Sequence, residues 1–201
     1  VRSAVSSAPS RSNADPLRAA LDRAADAVLD AMARLDASNP VIMIDGRSGA
    51  GKTTLARLIR MRWPRRERVQ EIALDAMYPG WDGLDAGVDA AREQVLVPHA
   101  RGLVGVWRRW DWEVGEHAEA HAVDPALPLV IEGCGILTPA TARLGDIRVW
   151  VEAPAAARKA RALGRDGDAY RPHWERWARQ EERHLRRDAP EALATHVIAV
   201  P

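Results

Sequence analysis

The residues best equipped for chemistry are Gly46-Arg47-Ser48-Gly49-Ala50-Gly51-Lys52-Thr53, followed by Thr54. Their spacing matches G-x-x-x-x-G-K-[ST], a loop whose consecutive backbone N–H groups face phosphate oxygens. In that pattern the lysine reaches the β and γ phosphates and the hydroxyl serves Mg²⁺. Glycine at 46 and 51 lets the chain turn tightly and approach a ligand without a Cβ in the way. The helix start that follows adds roughly half a positive charge at the same spot. Gly46, Ser48, Gly49, Ala50, Gly51, Lys52, Thr53 and Thr54 are therefore the nucleotide-binding candidates. The basic residues are otherwise almost all arginine, and Lys52 and Lys159 are the only lysines in the chain. A lysine at the phosphate position is thus no compositional accident.

Two carboxylates follow apolar runs further along: Asp75 after Gln70-Glu71-Ile72-Ala73-Leu74, and Glu132 after Leu129-Val130-Ile131. Polar groups beyond the carboxyl ends of parallel strands are where open α/β sheets hold their ligands. Behind a phosphate loop, an acid there reads as a Mg²⁺ ligand or a catalytic base, although a lone Asp after a strand is otherwise a common turn former. Arg158, Arg161 and Arg165, three and four residues apart, share one helical face that runs into Asp166-Gly167. They could be an exposed basic face, or cations that close over a phosphoryl group. Arg108-Arg109-Trp110-Asp111-Trp112 mixes charge and aromatics and is a second candidate wall. His117 and His121 lie four apart without the H-E-x-x-H context, so no histidine metal site is expected.

The elements that must position these groups follow from periodicity. Val41–Asp45 reads as a buried strand and 52–62 as the helix after the loop, with further strands at 69–74, 107–114, 129–131, 147–151 and 196–200. Helices are expected over 15–37, 88–100, 154–163 and 170–187. Asp15 caps the first of them, with Pro16 at its first position. That helix is expected beside the sheet with no chemical role. Residues 1–14, rich in Ser and Ala, read as a flexible tail, and 15–201 as a single domain with a lid near 158–169. Strands alternating with helices predict an α/β fold, with a central, mainly parallel five-stranded sheet flanked by helices in three layers.

Composition narrows the function. The net charge of +1 lacks the excess needed to neutralise a run of phosphates, so nucleic acid is not an expected partner. The single cysteine, Cys134, excludes an internal disulfide framework and a cysteine metal cluster, and fits a reducing compartment. With no apolar run of about 18 residues and no charged-then-apolar leader, neither a membrane partner nor secretion is expected, and a cytoplasmic location is. With eight tryptophans and no phenylalanine, Trp carries most of the aromatic packing.

Taken in order, the segments from about 41 to 200 resemble the uridine kinase and phosphoribulokinase-like group of P-loop small-molecule kinases. Leu74-Asp75-Ala76-Met77-Tyr78 is similar to the family's D-x-F-Y motif, with Met77 for Phe. Trp81-Asp82 is similar to its aromatic-Asp pair, and Trp110-Asp111-Trp112 to its Y-D-F segment. Ile131-Glu132-Gly133 with Ile136-Leu137 is similar to E-G-I-L, and Arg158 to Asp166 to the R-x-x-R...R-D lid. The departures, including Trp110 for Tyr and the inserted Cys134-Gly135, fall on the acceptor side, and the donor motifs are intact.

The resemblance implies an ATP-dependent phosphotransferase acting on a hydroxyl of a small molecule, a nucleoside or another polyol, with Mg²⁺ as cofactor. It implies Lys52, Asp75, Arg161 and Arg165 as catalytic residues and Thr53, Glu132 and Asp75 around the metal. Asp82, Trp110, Asp111 and Arg158 would bind the acceptor. A homo-oligomer is compatible with this reading. Two rivals stay open at this level: a nucleotide-binding regulatory ATPase without an acceptor, and a nucleoside monophosphate kinase. A GTPase is disfavoured by the absence of an N-K-x-D motif.

Overall fold

The computed structural model describes residues 15–64 and 68–201; the expected tail over 1–14 lies outside the described residues. Five strands form one parallel sheet in the order β2-β5-β1-β6-β7: β1 (Val41–Asp45), β2 (Gln70–Ala73), β5 (Leu129–Glu132), β6 (Ile147–Glu152) and β7 (His196–Ala199). The alternation of side chains in the central strands divides the core. Val41 and Met43 of β1 and Leu129 and Ile131 of β5 pack into one hydrophobic cluster, whereas Ile42, Ile44 and Val130 pack into the other. A strand buried on both faces must be apolar throughout, as Val-Ile-Met-Ile is.

On the second face lie α1 (Pro16–Ala33) and α2 (Lys52–Met61), with Leu21, Val28 and Met32 of α1 and Leu55 and Ile59 of α2 fully or almost fully buried. The Asp15 carboxylate accepts the Leu17 N–H at 3.1 Å, as a cap should. Helix α1 ends at Ala33, short of the expected 37, because Asp36, Ser38 and Asn39 are weak helix formers and Pro40 keeps its predecessor out of the helical region.

On the first face, α3 (Leu84–Ala91) continues through a π-helical stretch, Arg92–Leu96, into α4 (Val97–Ala100). This helical run starts four residues before the expected 88. The π turn precedes Pro98, which has no N–H to offer the preceding turn. The same face carries α6 (Trp174–Asp188), which buries Trp174, Trp177, Gln180, Glu181 and His184. That helix was expected from 170; instead a 3₁₀ turn, Arg171–His173, links it to α5 (Ala155–Tyr170). Helix α5 outruns its expected end at 163 and breaks at Gly167, whose φ is 54°. The short α7 (Pro190–Leu193) precedes β7.

The segment expected as strand 107–114 is β3 (Gly105–Asp111), and it lies outside the main sheet. It pairs antiparallel with β4 (Glu116–Val123), a strand the sequence did not suggest. Glu116-His117-Ala118-Glu119-Ala120-His121-Ala122 has no apolar face, since nearly all of it is exposed and it is held by pairing to β3. No helix among the described residues is long and apolar enough to cross a membrane.

Candidate active site

The loop after β1 is held open by packing that excludes side chains. A Cβ on Gly46 would lie 2.3 Å from the Val151 carbonyl oxygen, and one on Gly49 only 2.1 Å from that of Arg158, while φ is +148° and +77° at these residues. The bracing comes from three directions. Arg158 donates to the Ser48 carbonyl from Nη1 at 3.2 Å, and Arg161 donates to the Gly49 carbonyl from Nε at 2.8 Å. Glu181 of α6, 2% exposed, accepts the Ser48 N–H at 2.6 Å and pairs with Arg47 at 3.0 Å. The Tyr170 hydroxyl donates to Ser48 Oγ at 2.9 Å.

Lys52 opens α2 and is almost fully buried, with Nζ 3.3 Å from both the Arg47 carbonyl and Cys134 Sγ. Burial alone would lower its affinity for a proton; Cys134, Glu132, Glu181 and Asp75 outweigh that and hold the ammonium above its ordinary range. Burial pushes the Cys134 thiol up to about 12, so at neutral pH it is an uncharged neighbour and the carboxylates keep the lysine charged. Thr53 Oγ1 donates to Glu132 at 2.9 Å. Burial, the largest influence on Glu132, raises its carboxyl despite the opposing charge of Lys52.

Register explains the meeting of Glu132 with Asp75. Glu132 ends β5 opposite Ala73 of β2 and Ile44 of β1, and Asp75 follows in a 3₁₀ turn, Leu74–Ala76. A cavity of about 150 Å³ is lined by the loop with Lys52, Thr53, Asp75, Glu132, Arg161 and Arg165. Arg161 has a buried Nη2 with no partner, the kind of donor an anionic oxygen would satisfy. Mg²⁺ fits this donor set of hard oxygens from Thr53, Glu132 and Asp75. No cluster of three or more His, Cys, Asp or Glu that could hold a metal exists among the described residues, so phosphate and water would complete the shell.

A second cavity, about 830 Å³, adjoins the first and is walled by Tyr78, Trp81, Trp110, Trp112, Tyr170 and Trp177. Ser48, Asp75 and Arg165 line both. Trp112 fixes the turn that carries Asp75 by donating its indole N–H to the Asp75 carbonyl at 2.8 Å.

Of the expected acceptor residues, Trp110 lines this cavity, whereas Asp82, Asp111 and Arg158 are not among its lining residues. Asp82 is solvent-exposed and paired with Arg176 of α6, which holds its carboxyl below the usual range. Asp111 accepts the Val114 and Glu113 N–H groups of the hairpin turn and pairs with Arg109. Arg158 is 5% exposed and braces the phosphate loop from below.

Sequence reasoning missed Glu181, Tyr170, Trp177 and His184. Tyr170 ends α5; the signal for the other three was a stripe at 174, 177, 180, 181 and 184 on an otherwise charged helix, in which polar residues occupy core positions. His184 Nε2 lies 3.1 Å from Asp45, and Nδ1 lies 2.8 Å from Asp188. Asp45 also accepts the N–H groups of Gly46, Gly135 and Leu137. One buried network thus ties the end of β1, the loop after β5 and α6 together.

No family model matches the sequence, and no curated protein is similar to it at the sequence level. Among solved structures, a possible uridine kinase from Bacillus stearothermophilus superposes with a TM-score of 0.66 at 20% identity, over 90% of this chain and 98% of that one. A provisionally assigned fructose transport system kinase from Silicibacter sp. superposes with a TM-score of 0.51 at 16% identity, over 88% and 98%. The fold is that of the P-loop kinases. At such identities the likeness establishes the fold alone.

Proposed function

We propose that the chain is an ATP- and Mg²⁺-dependent phosphotransferase that moves the γ-phosphoryl group of ATP onto a hydroxyl of a small molecule. The observation that carries this reading is the junction at Asp75: the phosphate cavity and the larger cavity meet at Ser48, Asp75 and Arg165. A nucleotide switch has no use for a second chamber at that point. A nucleoside monophosphate kinase would need free cations for the acceptor phosphate. Of the two arginines that line the larger cavity, Arg109 is already engaged by Glu119 and Asp111, and Arg165, which also lines the phosphate cavity, is assigned here to the migrating phosphoryl group.

In this mechanism the amides of Gly49 to Thr54 and the charged Lys52 hold the donor phosphates. When bound, Mg²⁺ would offset charge on the β and γ oxygens, with Thr53, Glu132 and Asp75 as its protein-side oxygens. Asp75 orients the acceptor hydroxyl and takes its proton. Arg161 and Arg165 compensate charge on the migrating group from a helix that bounds the cavity, and the segment 158–169 acts as a lid that excludes water. Phosphoryl transfer runs through a loose transition state, so fixed charges and alignment matter more here than the strength of the base.

The test is ADP release measured across nucleosides, sugars, vitamins and nucleoside monophosphates. The expected result is stimulation above the ATP-only rate by a hydroxyl acceptor, lost in Lys52→Ala. Tight ATP binding with no stimulation by any class would favour the regulatory switch.

A further inference from the structure

We infer that the acceptor is an alcohol carried on a flat aromatic body, and not a sugar or open polyol. The inference rests on the kinase reading and concerns the larger cavity beside Asp75.

Six aromatic side chains wall that cavity: Tyr78, Trp81, Trp110, Trp112, Tyr170 and Trp177. Their polar atoms are largely committed elsewhere. Tyr78 donates to the Cys134 carbonyl at 2.7 Å, Tyr170 donates to Ser48 at 2.9 Å, and Trp112 donates to the Asp75 carbonyl at 2.8 Å. The charged lining residues are engaged too. Arg109 donates to Glu119, Asp111 and the Trp110 carbonyl, and both oxygens of Asp166 accept from Arg165. Among the described residues that line the cavity there is no Asn, Gln or Thr, and the Ser48 hydroxyl already accepts from Tyr170. Among its lining residues, only Asp75 and the exposed Glu113 keep a carboxylate that no described residue engages.

A sugar or polyol brings several hydroxyls, each of which loses water on entry and needs a donor and an acceptor in return. The indole N–H groups of Trp81, Trp110 and Trp177 can donate only. One acceptor, Asp75, is enough for the single hydroxyl that reacts. Asp82, the carboxylate expected to hold further hydroxyls, is tied to Arg176 outside the cavity.

The apolar body has a platform. Trp110 is half-buried in the wall and meets His117 in a T-shaped contact, with ring centroids 5.2 Å apart at 85°, so the two rings are not stacked. Trp81, by contrast, is already stacked with His173 and Tyr170. A volume of about 830 Å³ is within the range of small-molecule sites and holds a bicyclic ring system with room for its hydroxyl arm.

The reaction balances simply. The acceptor oxygen forms a bond to the γ phosphorus as the bond to the β–γ bridging oxygen breaks; the hydroxyl proton goes to Asp75, and ADP leaves. The test uses the full chain with MgATP and compares 2-naphthalenemethanol and indole-3-ethanol with uridine, ribose and glycerol. Binding is followed by tryptophan fluorescence, and turnover by ADP release. The aromatic alcohols should quench fluorescence and be phosphorylated with at least tenfold higher kcat/KM than the sugars. Trp110→Ala should raise their KM about tenfold with kcat within about threefold, the scale of one lost stacking platform, and Trp110→Phe should restore it.

Preferred turnover of ribose, uridine or glycerol would overturn the inference and leave the kinase reading standing. Saturable quenching by the aromatic alcohols without phosphorylation of any acceptor would uphold the aromatic pocket and sink the kinase reading. Absence of both binding and turnover of the aromatic alcohols would overturn the inference outright.

Discussion

At the scale of single residues, the proposed reaction assigns the acceptor to Asp75 and the donor to Lys52. Asp75→Asn keeps the shape of the turn and removes the proton acceptor, so kcat should fall about 10²-fold or more while ATP affinity changes little. Lys52→Ala removes a buried charge from the phosphate cavity, and both ATP binding and turnover should be lost. Steady-state kinetics with isothermal titration of ATP separates the two. If Asp75→Asn kept near wild-type turnover, the base assignment would be wrong.

The loop from Gly46 to Thr53, with the strand before it and the helix after it, was legible in the sequence because such a loop is a local object: its spacing, its glycines and the strand before it are contiguous. The acceptor side was less so. Asp82 and Arg158 are the right residue types at family-like positions, yet Arg176 and the Ser48 carbonyl occupy them, and those partners come from 94 and 110 residues away.

Among the elements, α6 does most to set the site, and its contribution comes from polar residues at core positions. Removing Glu181 leaves the Ser48 amide without its carboxylate acceptor and leaves Arg47 the longer, more exposed contact to Glu182 at 3.5 Å. With Arg47 about a quarter exposed, Glu181→Ala should cost about 2 kcal/mol, less than a fully buried pair, and should raise the KM for ATP. Urea denaturation alongside ATP kinetics checks both effects.

The His184 network makes a pH prediction. Burial opposes charging of this imidazole, but the hydrogen bonds and charges of Asp45 and then Asp188 outweigh it, and the folded-state value lies above 6.5. A raised folded value means that the stabilising contribution is complete below about pH 6.5 and fades as pH rises through the folded value. The urea midpoint should therefore decline across that window in the native chain, and His184→Gln should flatten the decline. An unchanged slope in the variant would exclude His184 as its source. Periodicity found α6 but could not show that its Gln, Glu and His face inward, because the partners lie at Asp45 and Ser48, far off in sequence.

At the scale of the whole molecule, a parallel sheet positions the loop that lines the smaller cavity, and an antiparallel hairpin, β3–β4, supplies Trp110 and Trp112 to the wall of the larger one. The sheet was readable from runs such as Val41–Ile44, apolar because both faces are covered. Strand β4 was not readable, since an exposed strand held by a single partner has no apolar pattern to betray it.

The division into two halves is testable by ligand linkage. MgATP at a hundred times its Kd should add about 2.7 kcal/mol of stability, or roughly 5–10 °C in Tm for a chain of this size. Lys52→Ala should abolish the shift, and Trp110→Ala should keep it. Equal loss in both variants would mean that the two cavities are not separable.

The most direct measurement of the central claim follows the phosphoryl group itself. ATP labelled at its γ phosphorus is incubated with the protein, Mg²⁺ and a panel of hydroxyl compounds, and the products are separated. The account predicts label in a phosphate ester of one acceptor, with that transfer lost in Asp75→Asn and Lys52→Ala. Label found only in inorganic phosphate, or retained in ATP with every acceptor, would contradict it.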